Sequence, residues 1–375
     1  MPKYRFTEIA INSTEKKKPT EADKETYIGL EHLDTGTLKV SRWGSEIAPI
    51  GEKLIMRKGD VLFGKRRAYQ KKVGIAPFDG IFSAHGMVLR PREDVVTKEY
   101  FPLFISSDYF LNEAIRISVG SLSPTVNWKD LKDLCFELPT IEEQRRIAPI
   151  IWAAIEAKNA YRTLIARADE LVKSQFIEMF KDCPRCRLGD FIQQVRGVSY
   201  KPADLGSTAD DEHIALLRAN NINNGRINFD DVQYVNRGKV ASAQVIQSKD
   251  ILVCASSGSL EHVGKAALFN DSGEYTFGAF CKLLRPTGVL MPEFIAAYMA
   301  GDEYRRVISD LAQGSNINNL RNEHIDELKI PLPTYERQLE FISFQQQSDK
   351  SKFELEQAIQ RIDNLIKSLI QQNND

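Results

Sequence analysis

The sequence predicts an α+β protein in which two similar globular domains are separated by two long helices. The helices are expected to pair as an antiparallel coiled coil, with the halves related by a pseudo-twofold. Three observations carry this. A stretch near the middle of the chain is written again near its end. Each copy follows a series of short strand-like runs. Each copy then opens a long segment almost free of proline and glycine.

The repeat comes first. With Gly120 set over Gly314, GSLSPTVNWKDLKDLCFELPT lies on GSNINNLRNEHIDELKIPLPT without a gap. Leu134 meets Leu328, Leu138 meets Leu332, Pro139 meets Pro333, Thr140 meets Thr334, and Gln144 meets Gln338. Farther upstream RKGDVLF resembles QSKDILV, LDTGTLKV resembles INNGRINF, and KKVGIAPFDGIFSAHGMVLRP resembles EHVGKAALFNDSGEYTFGAFCKLLRP. The offset drifts slightly, as surface-loop insertions produce. A period this long marks a duplicated domain.

Within each half, runs such as DVLFGK, GMVLRP, DILVCA and CKLLRP are broken by Gly, Asn and Asp, the punctuation of short strands. A helix-like stretch follows in each, KEYFPLFISSDYFLNEAIR and PEFIAAYMAGDEYRRVISDLA. These patterns place a first domain at 1–139, a central helix at 140–182, a second domain at 183–333 and a C-terminal helix at 334–375.

The first helix contains no glycine and one proline, Pro149, expected to kink it or to end a short first turn. Thr140 is its N-cap, with Glu142 and Glu143 in the first turn. Ile147, Ile151, Ile155, Leu164, Ala168, Leu171, Phe176 and Phe180 form an apolar stripe at helical spacing. From Tyr335 to Gln372 neither breaker occurs, and Phe341, Ile342, Phe344, Phe353, Leu355, Ile359, Ile362, Leu365, Ile366, Leu369 and Ile370 form the apolar set. At 1.5 Å per residue either helix would run about 60 Å, too long to bury its stripe alone, so the two are expected to pair.

Composition narrows the class. The 375 residues include 42% apolar and 27% charged side chains, with a net charge of −1. No run reaches the length of a membrane span, MPKYRFTEIAINS lacks an apolar secretion block, and five scattered cysteines outline no disulfide framework. A reducing, cytoplasmic setting is expected. Catalytic signatures fail. There is no Asn/Asp-Pro-Pro-aromatic loop for amino-methylation and no glycine-rich methyl-donor loop. GSLEHVGKA has its glycines one residue too far apart for a phosphate loop and Ala266 where a hydroxyl is needed. CPRC is a lone pair with no partner at zinc spacing, and the five histidines do not cluster in the sequence.

Binding signals remain. Glu52–Lys72 holds eight basic and two acidic residues, with Lys65, Arg66, Arg67, Lys71 and Lys72 crowded around Tyr69. Cations in a loop neutralise phosphates, and arginine grips guanine edges in two-pronged fashion. Arg42 is a further candidate in this half. The second half offers amides and hydroxyls instead: LRANNINNGR, QGSNINNLR and SSGS supply Arg218, Asn220, Asn221, Ser257 and Asn318. Asparagine reads adenine, although it is also a common turn residue. No metal-binding or catalytic residue is expected. On residues alone, a coiled-coil adaptor whose domains bind proteins is the alternative to a DNA reader.

The doubled layout, with each half closing on Leu-Pro-Thr before EEQRRIA or ERQLEFI and a long helix, together with YIGLEHLDTGTL in the first half, resembles the specificity subunit (S, HsdS) of type I restriction-modification systems. The resemblance covers essentially the whole chain. It implies two target recognition domains, each reading one half of a bipartite site in double-stranded DNA, with the helices fixing the spacer. It implies a non-catalytic chain that docks two methyltransferase subunits carrying S-adenosylmethionine, which two motor-nuclease subunits using ATP and magnesium can join. The chain itself is expected to bind no cofactor.

Overall fold

The computed structural model describes residues 1–259, 261–313 and 319–371. They form two compact units: Met1–Thr163 together with the chain from Leu355 onward, and Leu164–Glu354. The division falls inside both long helices. Among the described residues no helix is long and apolar enough to cross a membrane.

In the first unit, strands Ala10–Ser13, Met87–Pro91, Val61–Phe63 and Val73–Ile75 form an antiparallel sheet in that order. Val61–Phe63 is buried throughout, as an apolar central strand should be. A second sheet runs Lys16–Lys17, Lys53–Met56, Gly80–Phe82, Tyr27–Ile28, with the last pair parallel. Lys53–Met56 alternates, turning Leu54 and Met56 inward. Lys3–Arg5 pairs with Cys135–Glu137 and so closes the domain just before the long helix. The core is aromatic: Phe6 lies 5.1 Å from Phe110 and 5.9 Å from Phe136, and Phe104 lies 5.3 Å from Phe136.

The second unit repeats this plan. Ile192–Arg196, Cys281–Pro286, Ile251–Cys254 and Ala266–Leu268 form the first sheet in the same order, and Arg185–Arg187 pairs with Lys329–Pro331. The parallel pair recurs as His213–Leu217 with Tyr275–Phe277. One difference is clear. The antiparallel ladder joins Gly80–Phe82 in the first unit but His213–Leu217 in the second, the other side of the parallel pair. The strand that brings it, Gln233–Asn236, follows a tight hairpin of Ile222–Asn223 and Arg226–Ile227. Its turn residues Asn224 and Gly225 take φ of 50° and 73°, the left-handed values an Asn-Gly hairpin turn requires.

A buried ion pair recurs as well. Arg90 clasps the Asp60 carboxylate at 2.8 and 2.9 Å, and Arg285 clasps Asp250 at 2.9 and 2.7 Å. Each carboxylate also accepts the backbone N–H three residues before it, which fixes the turn leading into the central strand.

The long helices run Ile141–Phe180 and Tyr335–Gln371. Thr140 caps the first: its hydroxyl accepts from the Glu143 N–H at 3.3 Å, and the Glu143 carboxylate accepts from the Thr140 N–H at 2.9 Å. That backbone bond and the Thr140 hydroxyl hold the Glu143 carboxyl below its ordinary range. The helix is unbroken across Pro149. The proline is exposed, so the bond it cannot make lies on the solvent side.

Gln144 is fully buried. Its Oε1 accepts from the Thr97 N–H at 2.8 Å, and its Nε2 donates to the Pro139 and Val95 carbonyls at 2.8 and 3.0 Å. Gln338 repeats the clamp, with Oε1 accepting from the Met291 N–H at 2.7 Å and Nε2 donating to the Val289 and Pro333 carbonyls at 3.3 and 3.4 Å.

Antiparallel pairing of the helices is visible within each unit. In the first, Ile370 joins the core containing Ile147 and Ile151, while Lys158 reaches Asp363 at 2.7 Å. In the second, Phe176 and Phe180 pack on Phe341, while Lys352 reaches Asp169 at 2.6 Å. The expected stripe is not buried along its whole length. Leu164, Leu171, Phe353 and Leu365 are about half exposed, because a two-helix ladder covers a narrower seam than a domain core does.

Replacing Gln144 by Ala orphans a buried donor, a buried acceptor and a partly buried one. The substitution is expected to cost about 3 kcal/mol, read from the denaturant midpoint of the full chain. A loss below about 1 kcal/mol would mean that these groups find other partners.

Candidate nucleic-acid interface

In the first domain the basic residues sit on the hairpin loop joining Val61–Phe63 to Val73–Ile75. Gly64 N–H donates to the Lys72 carbonyl at 2.9 Å and closes the loop. A single turn, Ala68–Gln70, is flanked by Arg67 and Lys71, both left-handed with φ of 55° and 51°. The repeated Gly-Ser segment lies directly against this loop. Arg67 N–H donates to the Pro124 carbonyl at 2.7 Å, Val126 N–H donates to the Lys65 carbonyl at 2.9 Å, and Arg66 bridges Thr125. Gly120, with φ of 118°, makes the tight turn that lets Val119 and Thr125 pair.

The cationic side chains divide by role. Arg66 and Arg67 are exposed, Arg67 Nε reaching only the Ser123 hydroxyl at 3.4 Å, and the Tyr69 ring is 53% exposed. Lys65 is half-buried; burial first, then Lys16, depresses its amine. Lys71 is committed to Asp108 at 2.6 Å, and Lys72 donates to the Leu30 carbonyl at 2.7 Å. Arg42 pairs with Asp34 at 2.6 Å and with the Glu31 carbonyl.

Folding also recruits residues that the sequence reading passed over. The His85 carbonyl accepts from the Arg66 N–H at 3.2 Å. Its imidazole is pushed below the ordinary histidine range by burial, then by Arg66, Lys65 and Lys53. Lys16, Lys53, Lys65 and Arg66 therefore act on one patch, although they are spread over three separate elements. The lysine run at 16–18 is the one sequence signal that could have pointed to it.

The second domain places its hairpin tip the same way. Leu320 N–H donates to the Ala255 carbonyl at 2.7 Å, and Ser256 bridges Asn319, as Val126 with Lys65 and Thr125 with Arg66 do in the first. Ser257 sits on this tip, its hydroxyl accepting from the Ser259 N–H at 3.2 Å. Arg218, Asn220 and Asn221 come together on the turn after His213–Leu217. Arg218 Nη2 and Asn220 Nδ2 both donate to the Asp231 carboxylate at 2.8 Å. Asn221 is 1% exposed and wholly engaged: it accepts from the Arg218 N–H at 2.8 Å and donates to the Asn228 and Asp231 carbonyls. Its amide shapes the turn and presents nothing outward. Asn318 lies outside the described residues.

Two copies of one α+β domain, each with a hairpin tip pinned by a neighbouring chain segment, through Pro124–Val126 in the first and Asn319–Leu320 in the second, and each opening a glutamine-clamped helix, define a tandem protein that presents two loop tips. The chain belongs to the type I restriction modification DNA specificity domain family, whose model matches residues 5–163 and 185–364. It is 37% identical over 166 residues to the type I restriction enzyme EcoKI specificity subunit of Escherichia coli (strain K12), covering 43% of this chain and 36% of that one. It is 38% identical over 144 residues to the StySPI specificity subunit of Salmonella potsdam, covering 38% and 31%. The chain thus spans about a third of the length of these curated relatives. The family match gives no support to the adaptor reading.

Solved structures agree on the fold. A chain from a study of complex assembly and conformational transition of the type I R-M system matches with a TM-score of 0.60 at 19% identity, over 99% of this chain and 97% of that one. The type I restriction-modification S subunit from M. genitalium matches with a TM-score of 0.55 at 15% identity, over 98% and 96%.

Two outcomes are expected. Replacing Lys65, Arg66 and Arg67 together by Ala should lower the slope of log affinity against log salt for duplex DNA by about two to three; an unchanged slope rejects this patch. The second concerns pH. Because His85 is depressed in the folded chain, the unfolded chain binds its proton more readily. This contribution to stability is therefore full above the ordinary 6.5 and is lost as pH falls through it. The denaturation midpoint of the wild type should fall more between neutrality and about pH 5 than that of His85→Gln, with His32 and His324, also depressed, retaining the remainder.

Proposed function

We propose that this chain is the DNA sequence-specificity subunit of a type I restriction-modification complex. Residues 1–139 and 183–333 are the target recognition domains, each reading one half of a bipartite site. Residues 140–182 and 334–375 are the helices that set the spacer between half-sites and dock two methyltransferase subunits. The observation that carries this reading is the duplicated domain with unlike tips, since a shared frame with different loops is what two different half-sites require. Phosphate contacts from Lys65, Arg66 and Arg67 would fix register, and side chains on the two tips would touch bases.

The chain is the non-catalytic member. Methyl transfer needs S-adenosylmethionine and a pocket for an adenine taken out of the stack; both would belong to the methyltransferase subunits. Motor-nuclease subunits using ATP and magnesium would complete a restriction complex. Leu164, Leu171 and Phe353, apolar and half-exposed on the helices, are suited to a protein partner.

Exchanging residues 1–139 for the first domain of another family member tests the division of labour. Methylation by the assembled complex should change at one half-site and stay the same at the other. Retention of both original half-sites would defeat the proposal.

A further inference from the structure

The second hairpin tip lacks the cations of the first, yet the second domain carries positive charge beside it from other elements. Arg196 and Lys282 stand directly opposite each other in the antiparallel ladder of Ile192–Arg196 with Cys281–Pro286. Like charges facing across a ladder repel, so the pair favours a bound anion. Arg321 joins them from the chain segment that Leu320 pins to the tip. Its guanidinium lies 3.1 Å from the His324 ring, which burial, Arg321 and Lys282 hold below the ordinary range. Lys282 donates to the Asn322 and Gln194 side chains, and Glu323 and Asp326 also face it. Among the described residues neither Arg196 nor Arg321 forms an ion pair with a carboxylate. Both are exposed.

Phe280 stands two residues before Lys282. Its carbonyl accepts from the Ala255 and Ser256 N–H groups at 2.9 and 3.0 Å, as the His85 carbonyl accepts from Arg66 N–H in the first domain. Phe280 is therefore the counterpart of His85, beside the tip in the same position. Its ring is 70% exposed, while the next residue, Cys281, is 1% exposed and donates its N–H to the Gly278 carbonyl at 2.9 Å. These backbone bonds fix the turn on which an apolar side chain stands out into water.

We propose that the second domain grips DNA phosphates with Arg196, Lys282 and Arg321 and reads its half-site through an apolar contact between Phe280 and a thymine methyl group. This rests on the DNA-specificity reading above. A phenyl ring neither donates nor accepts hydrogen bonds, so the base feature it can discriminate in the major groove is the methyl group of thymine. The cations supply register without sequence information. Each domain thus presents positive charge beside its own tip, from unrelated positions in the repeat, with different side chains, imidazole and phenyl, at the corresponding place.

The test uses the full chain and a duplex carrying the site it selects from a random pool. Uracil replaces thymine throughout the second half-site, which removes only the methyl groups. Wild type should bind the uracil duplex roughly 10-fold more weakly, and Phe280→Ala should bind both duplexes alike, below wild type. If Phe280→Ala keeps the uracil penalty, Phe280 is not the reader. If wild type shows no penalty, the methyl contact is wrong. Arg196→Gln with Arg321→Gln, both on the surface, should lower the salt slope by about two; an unchanged slope removes the grip. Failure of wild type to select any site would instead defeat the specificity-subunit reading itself.

Discussion

One buried amide, used twice, governs how each long helix leaves its domain. Gln144 and Gln338, both buried, each satisfy a backbone donor and two backbone carbonyls at the foot of a helix. A buried polar group left unmatched is costly, so the first turn of each helix has one favourable setting against its domain. The core is then completed by both helices. The first takes Ile147 and Ile151 from the start of one helix and Ile370 from the end of the other. The second takes Phe341 and Ile342 from a helix start and Phe176 and Phe180 from a helix end. Neither domain core is finished by its own segment alone.

Around that constraint the two domains keep what holds the frame and vary what faces outward. The pairs Asp60–Arg90 and Asp250–Arg285 and the capped turns at Gly29–His32 and Arg218–Asn221 recur, as do two of the bonds that pin the tips, Val126 N–H to Lys65 with Leu320 N–H to Ala255 and Arg66 N–H to His85 with Ser256 N–H to Phe280. The ladder at the sheet edge changes sides, and the tip residues share almost nothing. Edge strands and loops tolerate such change because few buried backbone groups depend on them. The near-zero net charge of −1 does not contradict local clusters of cations, since a total says nothing of how cations and carboxylates are distributed over the surface.

The repeat was legible because its signals are local side-chain devices at fixed offsets: the capping threonine, the clamp glutamine, the Gly-Ser turn. The first basic loop was legible because its cations are contiguous. Lys16, Lys53 and His85 were not, since only the sheet brings them beside Lys65. Asn221 looked like a base reader because an asparagine in a loop carries no mark of burial. Its place in the repeat, matching His32, whose ring accepts the Gly29 N–H at 3.0 Å, identifies it as a turn cap. The ladder partners Arg196 and Lys282 required the strand register, which composition does not encode. The stripe through Leu164, Leu171 and Phe353 had the right period but exceeded what one partner helix can cover.

The backbone of the first tip shows how such a face can be specific. Arg67 and Lys71 both adopt left-handed conformations, which cost about 1 kcal/mol each for residues with a Cβ. Glycine would relieve that cost, yet both positions carry long cations. The conformation is held by bonds from outside the loop: Pro124 on Arg67, Asp108 on Lys71, Leu30 on Lys72. Asp108 also lies 4.0 Å from Lys367 on the second long helix, so the loop is braced against the helix that completes its domain. A tip strained and braced in this way is shaped before any ligand arrives. Under the proposed function, little ordering would then remain to offset binding energy, and a misplaced phosphate would not be met by bending the loop.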